Sequence, residues 1–78
     1  MNILRITAMN HRGQHTLWLR FNNGHDGEFN LLPLLTGPIF LPLHDPDYFA
    51  QVKLNNECGT IIWPNGADLA PEVVLALS

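Results

Sequence analysis

The sequence predicts one small α+β domain built on a mainly antiparallel sheet. Apolar and polar side chains alternate along the N-terminal part with a period of two, which is typical of half-buried strands. Short polar turns that contain glycine separate these runs and favour antiparallel hairpins. Later segments place proline at the first position of short helices. We therefore expect a single domain over residues 1–78, in two layers, with the order β-β-β-α-β-β-α and helices on one face of the sheet.

The N-terminal part predicts a three-stranded meander. In its clearest strand, Leu17 and Leu19 alternate with Trp18 and Arg20, so the latter pair should lie on the opposite face of the sheet. In the first strand, Leu4, Ile6 and Ala8 should share one face. The three strands are expected at Asn2 to Ala8, His15 to Phe21 and Asp26 to Leu31.

The second half predicts short elements joined by an apolar connector. Asp45 can cap a helix whose first residue is Pro46. The connector is too rich in proline to be a central strand. The elements expected here are one helical turn at 32–37, a connector across the sheet at 38–43, a helix at 46–51, strands at 52–55 and 60–63, and a terminal helix at 71–77.

The charge content limits the classes of partner. Charged residues make up 14 % of the chain, against about 25 % in an average globular domain. Some apolar surface should therefore remain for a partner or a second copy. The net charge is −3, with only four lysine and arginine residues. Nucleic-acid binding depends on clustered basic residues, so we expect no direct contact with nucleic acid.

The sequence also predicts the cellular compartment of the protein. Cys58 is the sole cysteine, so an internal disulfide is excluded and a reducing environment is favoured. The N-terminus shows no signal-peptide pattern. The most apolar run, Leu31 to Leu43, is interrupted by prolines and a glycine, and a membrane span needs about 18 apolar residues. We expect a cytoplasmic protein that does not contact the membrane.

No set of residues predicts catalysis. His11 and His15 are four apart, but Gly13 places a turn between them, so a shared helical face is not expected; both are predicted to be surface histidines of that turn. Cys58 follows Glu57, whereas a catalytic thiolate requires a nearby cation or helix N-terminus. We expect Cys58 to be weakly buried and structural. The sequence thus predicts no enzyme, catalytic residue, metal or cofactor.

Trp18 and Arg20 are the candidate interface residues. In one interpretation, a helix or the connector covers Trp18, and this interpretation is favoured. In the other, the two side chains form an exposed aromatic–arginine pair, a combination enriched at binding hot spots. The sequence leaves both interpretations open.

Two segments resemble a known family. One runs from Phe40 to Val52, and the other, from Gly59 to Leu69, contains Trp-Pro-Asn-Gly-Ala-Asp-Leu and precedes Pro71. Together they resemble domain-of-unknown-function family 2442, a set of small bacterial proteins. The residues of this chain that carry the resemblance are Asp45, Pro46, Phe49, Trp63, Pro64, Asn65, Gly66 and Asp68.

The family motif has a structural interpretation. Trp63 should pack in the core, Pro64 should end a strand, and Asn65 with Gly66 should form a turn. Asp68 should accept hydrogen bonds from backbone donors at the start of the last helix. The motif needs no ligand in this interpretation.

The resemblance implies a compact α+β fold and no established catalytic residues. Some relatives carry a helix-turn-helix DNA-binding domain, and others are encoded beside small proteins of domain-of-unknown-function family 4160, as in toxin–antitoxin pairs. We therefore expect a protein-binding module, the antitoxin-like or regulatory half of a two-protein system. Its partner would be a family-4160-like protein, itself as a homodimer, or both. The alternative is a small-molecule sensor domain.

Overall fold

A computed structural model describes residues 3–77 of the chain. The α+β class is confirmed: two three-stranded antiparallel sheets alternate with short helices. Among the described residues, no helix is both long and apolar enough to cross a membrane. The elements in chain order are β1 (Ile6–His11), β2 (Thr16–Phe21), β3 (Asp26–Asn30), two 3₁₀-helices (Leu32–Leu34 and Pro38–His44), α1 (Pro46–Phe49), β4 (Lys53–Asn55), β5 (Thr60–Ile62), β6 (Asp68–Leu69) and α2 (Pro71–Leu75).

The first sheet is the predicted meander, in the order β1-β2-β3. Its first strand begins and ends later than predicted, and Asn2 lies outside the described residues. The register shifts between Ile6 and Ala8. This bulge places Ala8 opposite the outward Arg20, while Met9 lies opposite buried Leu19 and packs against the core. The prediction that Ile6 and Ala8 share a face was wrong, because one extra residue reverses the alternation.

The second sheet contains a strand that the sequence pattern did not predict. The turn at Asn65 and Gly66 reverses the chain, and Trp63 N–H donates to the Ala67 carbonyl at 2.9 Å. The chain then pairs as β6 with β5, with Ile62 opposite Asp68. The sheet order is β4-β5-β6. The predicted order β-β-β-α-β-β-α in one sheet is therefore corrected to two sheets with a sixth strand.

The expected role of Asp68 at the last helix was wrong. Asp68 is an exposed residue of β6, and Ala70 is the N-cap of α2. Within residues 3–77, no side chain caps this helix through a hydrogen bond at the N-cap. By contrast, Asp45 caps α1 as predicted, since its Oδ1 accepts from Asp47 N–H at 3.0 Å.

One hydrophobic core joins the two sheets. Ile6 N–H donates to the Gly59 carbonyl at 2.8 Å, so β1 is tied directly to the turn between β4 and β5. The Arg5 guanidinium binds the carbonyls of Asn56 and Glu57 in the same turn, at 2.7 Å each. The buried apolar residues, from both sheets and the segments between them, are Ile6, Leu17, Leu19, Phe21, Phe29, Leu31, Leu35, Leu43, Phe49, Val52, Ile61, Trp63, Ala67, Leu69 and Val74.

Candidate functional site

The outer face of the first sheet pairs an arginine with a tryptophan. Arg20 Cζ lies 5.3 Å from the centroid of the Trp18 ring. Trp18 is half-buried and Arg20 is exposed. A cation above an aromatic ring at this distance makes a favourable electrostatic contact. The two predicted interface residues therefore form one unit on the face opposite the core.

Two ion pairs surround this unit. Arg20 Nε lies 3.6 Å from Asp26 Oδ2, and Arg12 Nε lies 3.6 Å from Glu28 Oε2. Glu28 is directly opposite Trp18 in the register of β2 and β3. All four charged residues are exposed, so each pair contributes at most about 1 kcal/mol. The exposed neighbours agree better with an aromatic–arginine pair than with a covering helix or connector; whether this face binds a partner stays a prediction.

The family motif connects the second sheet to the helical segments. Trp63 Nε1 donates to the Phe49 carbonyl at 2.9 Å, and the two buried rings lie 5.4 Å apart. Asn65 Oδ1 accepts from Ala67 N–H at 3.0 Å, and its Nδ2 donates to the Ile39 carbonyl at 2.9 Å. Gly66 adopts a φ of +89°, which favours glycine. These contacts give Trp63, Asn65 and Gly66 structural roles.

Residues 35–44 form a closed loop, which we call the connector loop. His44 Nε2 lies 2.6 Å from the Leu35 carbonyl, and His15 Nε2 lies 2.9 Å from the His44 carbonyl. Both ring nitrogens donate, because a carbonyl oxygen can only accept. Asn65 holds the middle of the loop through Ile39. Asn65 thus holds the loop at its middle and His15 holds it at its C-terminal end. His44 joins the C-terminal end of the loop to its start at Leu35.

The connector loop exposes apolar side chains to solvent. Leu41 is 67 % exposed and Ile39 is 50 % exposed. Nearby in the chain, Leu32 is 41 % exposed. A groove of about 480 Å³ opens on the loop, lined by Leu35, Thr36, Gly37, Pro38, Leu41 and His44. The sequence pattern indicated only a connector crossing the sheet. No Asp, Glu, Lys or Arg lies between Glu28 and Asp45, and this lack of charge gave no local signal for which apolar side chains of the segment are exposed.

Family comparison agrees with the resemblance seen in the sequence. The model of the family described as "Protein of unknown function (DUF2442)" matches residues 6–78. The chain belongs to family 2442. Comparison with curated proteins and with solved structures found no match.

In this family-2442 chain, two histidines pack on a core aromatic ring. The ring centroids of His11 and His15 lie 5.8 Å and 5.2 Å from that of Phe49. His11 Nε2 also lies 3.1 Å from the Gln14 carbonyl. His15 lies in the turn directly before β2 as predicted, whereas His11 is the last residue of β1, and both residues are half-buried. No group of three or more His, Cys, Asp or Glu residues is placed to hold a metal ion within residues 3–77.

Cys58 of this family-2442 chain is exposed, so the expectation of weak burial was wrong. The backbone N–H groups of Cys58 and Glu57 both donate to Asn55 Oδ1, at 3.3 Å and 3.0 Å. The turn is therefore held by Asn55 and by Gly59, whose N–H donates to the Asn55 carbonyl at 2.7 Å.

Proposed function

We propose that this domain is a non-catalytic protein-binding module, the antitoxin-like or regulatory half of a two-protein bacterial system. One observation carries the proposal: the connector loop holds Ile39 and Leu41 in solvent although both are large and apolar. Apolar surface concentrated in one exposed segment favours an interaction site. The resemblance to family 2442 supplies the two-protein arrangement.

The fastening of the loop supports this proposal. His44, His15 and Asn65 hold the loop through bonds to backbone carbonyls. A surface that is already ordered loses less conformational entropy on binding, so more of the contact free energy appears as affinity. Burying a leucine or isoleucine side chain contributes about 1.5–3 kcal/mol. Ile39 and Leu41 are 50 % and 67 % exposed, so their burial would supply part of the binding free energy, and further contacts must offset the association cost of about 4 kcal/mol or more.

The proposed site lies in the bacterial cytoplasm. The exposed thiol of Cys58 supports this compartment, because free thiols persist where the medium is reducing. The partner is the product of the neighbouring gene, and a family-4160-like protein is the first candidate. Self-association as a homodimer is the competing arrangement.

Co-expression with the product of the neighbouring gene tests the proposal. We expect a complex on size-exclusion chromatography with light scattering. Ile39→Ser/Leu41→Ser should weaken it at least tenfold, or about 1.4 kcal/mol. Val73→Ser is the matched control, since Val73 is 44 % exposed on α2 and lies outside the loop; it should bind within about twofold of the parent. Circular dichroism establishes that each variant is folded.

Two results would contradict the proposal. One is failure of the neighbouring gene product to bind the folded parent chain. The other is an Ile39→Ser/Leu41→Ser variant that binds the neighbouring gene product as tightly as the Val73→Ser control binds it.

The groove supports the alternative, a small-molecule sensor. Its volume of about 480 Å³ lies in the range of small-ligand sites, roughly 300–1,000 Å³. Its lining is largely apolar, so a sensor would take an apolar metabolite. Thermal stabilisation by such a metabolite, abolished in Leu41→Ser and retained in Val73→Ser, would support the sensor. Absence of stabilisation across a panel of apolar metabolites would count against it.

A further inference from the structure

We infer that the groove of the connector loop binds a partner-protein segment carrying one bulky apolar side chain beside lysine or arginine residues, rather than a second copy of this chain. The inference rests on the proposed protein-binding function and specifies the chemistry of the partner. It follows from the lining of the groove and from the charges next to it.

The lining of the groove suits an apolar side chain. Leu35, Pro38 and Leu41 supply apolar surface, and Leu41 is 67 % exposed. The polar ring atom His44 Nε2 is already engaged by the Leu35 carbonyl. Thr36 supplies the one side-chain hydroxyl of the lining, so a polar group elsewhere in the groove would lose water without a new side-chain partner, which costs free energy. An apolar side chain has no such cost.

The charged residues that follow the groove lining directly in the chain are acidic. Asp45 follows the lining residue His44 directly, and Asp47 lies two residues further; both carboxylates are exposed. No lysine or arginine occurs from Phe21 to Val52.

The basic residues of the chain are occupied or lie elsewhere. Arg12 and Arg20 are paired with Glu28 and Asp26, so these four charges offset one another. Arg5 is bonded to the turn between β4 and β5. Lys53 lines a separate groove of about 300 Å³ with Ile62, Trp63 and Pro64. The acidic side of the connector loop is therefore complemented by basic residues of a partner.

The same charges disfavour a second copy. A twofold dimer brings one surface patch against itself. In a dimer whose twofold axis passes close to the groove, Asp45 and Asp47 of one copy would approach the same residues of the other, and like charges repel. A basic partner removes this repulsion and adds attraction.

Three synthetic peptides of equal length test the inference on the full chain. The first has one phenylalanine flanked by lysines, the second has the same phenylalanine flanked by glutamates, and the third has the lysines with serine in place of phenylalanine. Amide chemical shifts of the nitrogen-15-labelled protein report binding. We expect the first peptide to shift the amides of residues 35–47 and to bind at least about tenfold more tightly than the other two. Raising the salt should reduce this preference.

A pair of charge variants gives the matched control. Asp45→Asn/Asp47→Asn removes two charges but keeps a good N-cap, because asparagine caps as well as aspartate. This variant should lose about fivefold or more of the preference for lysine over glutamate. Glu57→Gln/Asp68→Asn removes the same charge from exposed positions outside the loop and should retain the preference.

Several results would overturn the inference. The first is that the glutamate peptide, or the peptide that lacks phenylalanine, binds as tightly as the peptide with phenylalanine and lysines. The second is that the amide shifts are confined to residues outside 35–47. The third is a concentration-dependent dimer of this chain that Leu41→Ser abolishes. If the neighbouring gene product still binds through Ile39 and Leu41 in any of these cases, only the assigned chemistry fails. If that product does not bind, the proposed function fails as well.

Discussion

Gly59 is the glycine at which an added Cβ would clash with a neighbouring segment. Its φ is +69°, a left-handed conformation that other residues rarely adopt. A Cβ at this position would lie 2.6 Å from Arg5 Cβ and 3.0 Å from Arg5 Cα. Both atoms belong to the segment that joins the two sheets, since Ile6 N–H binds the Gly59 carbonyl. The close approach therefore requires glycine for steric as well as conformational reasons.

Gly59→Ala should lower the free energy of unfolding by roughly 2–4 kcal/mol, because backbone strain and the clash with Arg5 add. Gly66→Ala is the control. Its φ of +89° is similar, but its added Cβ would meet nothing within 4 Å, so the loss should be about 1–2 kcal/mol. Urea unfolding measures both. Equal losses would mean that the contact with Arg5 has no energetic consequence.

At the scale of the element, the two short α-helices begin differently. The start of α1 has a side-chain cap from Asp45 and proline at its first position. The start of α2 has proline and, as its N-cap, Ala70. Asp68 lies in β6, opposite Ile62, where its carboxylate is exposed. Local sequence made both aspartates plausible caps, but only Asp45 acts as one.

This difference predicts unequal effects of two similar substitutions. Asp45→Ala should cost about 1 kcal/mol of unfolding free energy, the usual value for loss of an N-cap. Asp68→Ala should change it by no more than about 0.5 kcal/mol, as at an exposed site without a cap role. Chemical denaturation of both variants checks the order. A larger loss for Asp68→Ala would restore the sequence-based assignment.

At the scale of the whole molecule, two small sheets depend on one core. Trp63 follows β5 and its indole reaches α1, whereas Trp18 lies on the outer face of the first sheet. Each sheet has only three strands, and small sheets need a shared apolar face to be stable. The bonds from Ile6 and Arg5 to the turn between β4 and β5 couple the sheets directly.

The shared core predicts one cooperative unfolding transition. Trp18→Phe leaves Trp63 as the fluorescent reporter near the second sheet, and Trp63→Phe leaves Trp18 as the reporter of the first. In each variant, the fluorescence midpoint in urea should coincide with the midpoint from circular dichroism, as in two-state unfolding. Trp63→Phe should also be the less stable variant by roughly 1–3 kcal/mol, because the Phe49 carbonyl keeps Val52 N–H but loses the indole donor, and the smaller ring leaves space in the core. Separate midpoints would show that the sheets unfold independently.

Local sequence was sufficient where a residue acts on its immediate neighbours. The alternation of Leu17, Leu19 and Phe21 predicted β2, and Asp45 with Pro46 predicted the start of α1. Trp63 was correctly expected in the core. These features depend on backbone preferences and on the period of a strand, which are properties of a few consecutive residues.

Contacts between distant segments decided the rest. Three features depend on contacts between segments that local patterns describe separately. They are the bulge between Ile6 and Ala8, the pairing of β6 with β5, and the hydrogen bond from Asn65 to the Ile39 carbonyl. The exposure of Leu41 has the same origin: three buried leucines, Leu31, Leu35 and Leu43, occupy the core near this segment. An apolar side chain is buried only where tertiary packing leaves room for it, and hydrophobicity alone does not state which of several leucines will be enclosed.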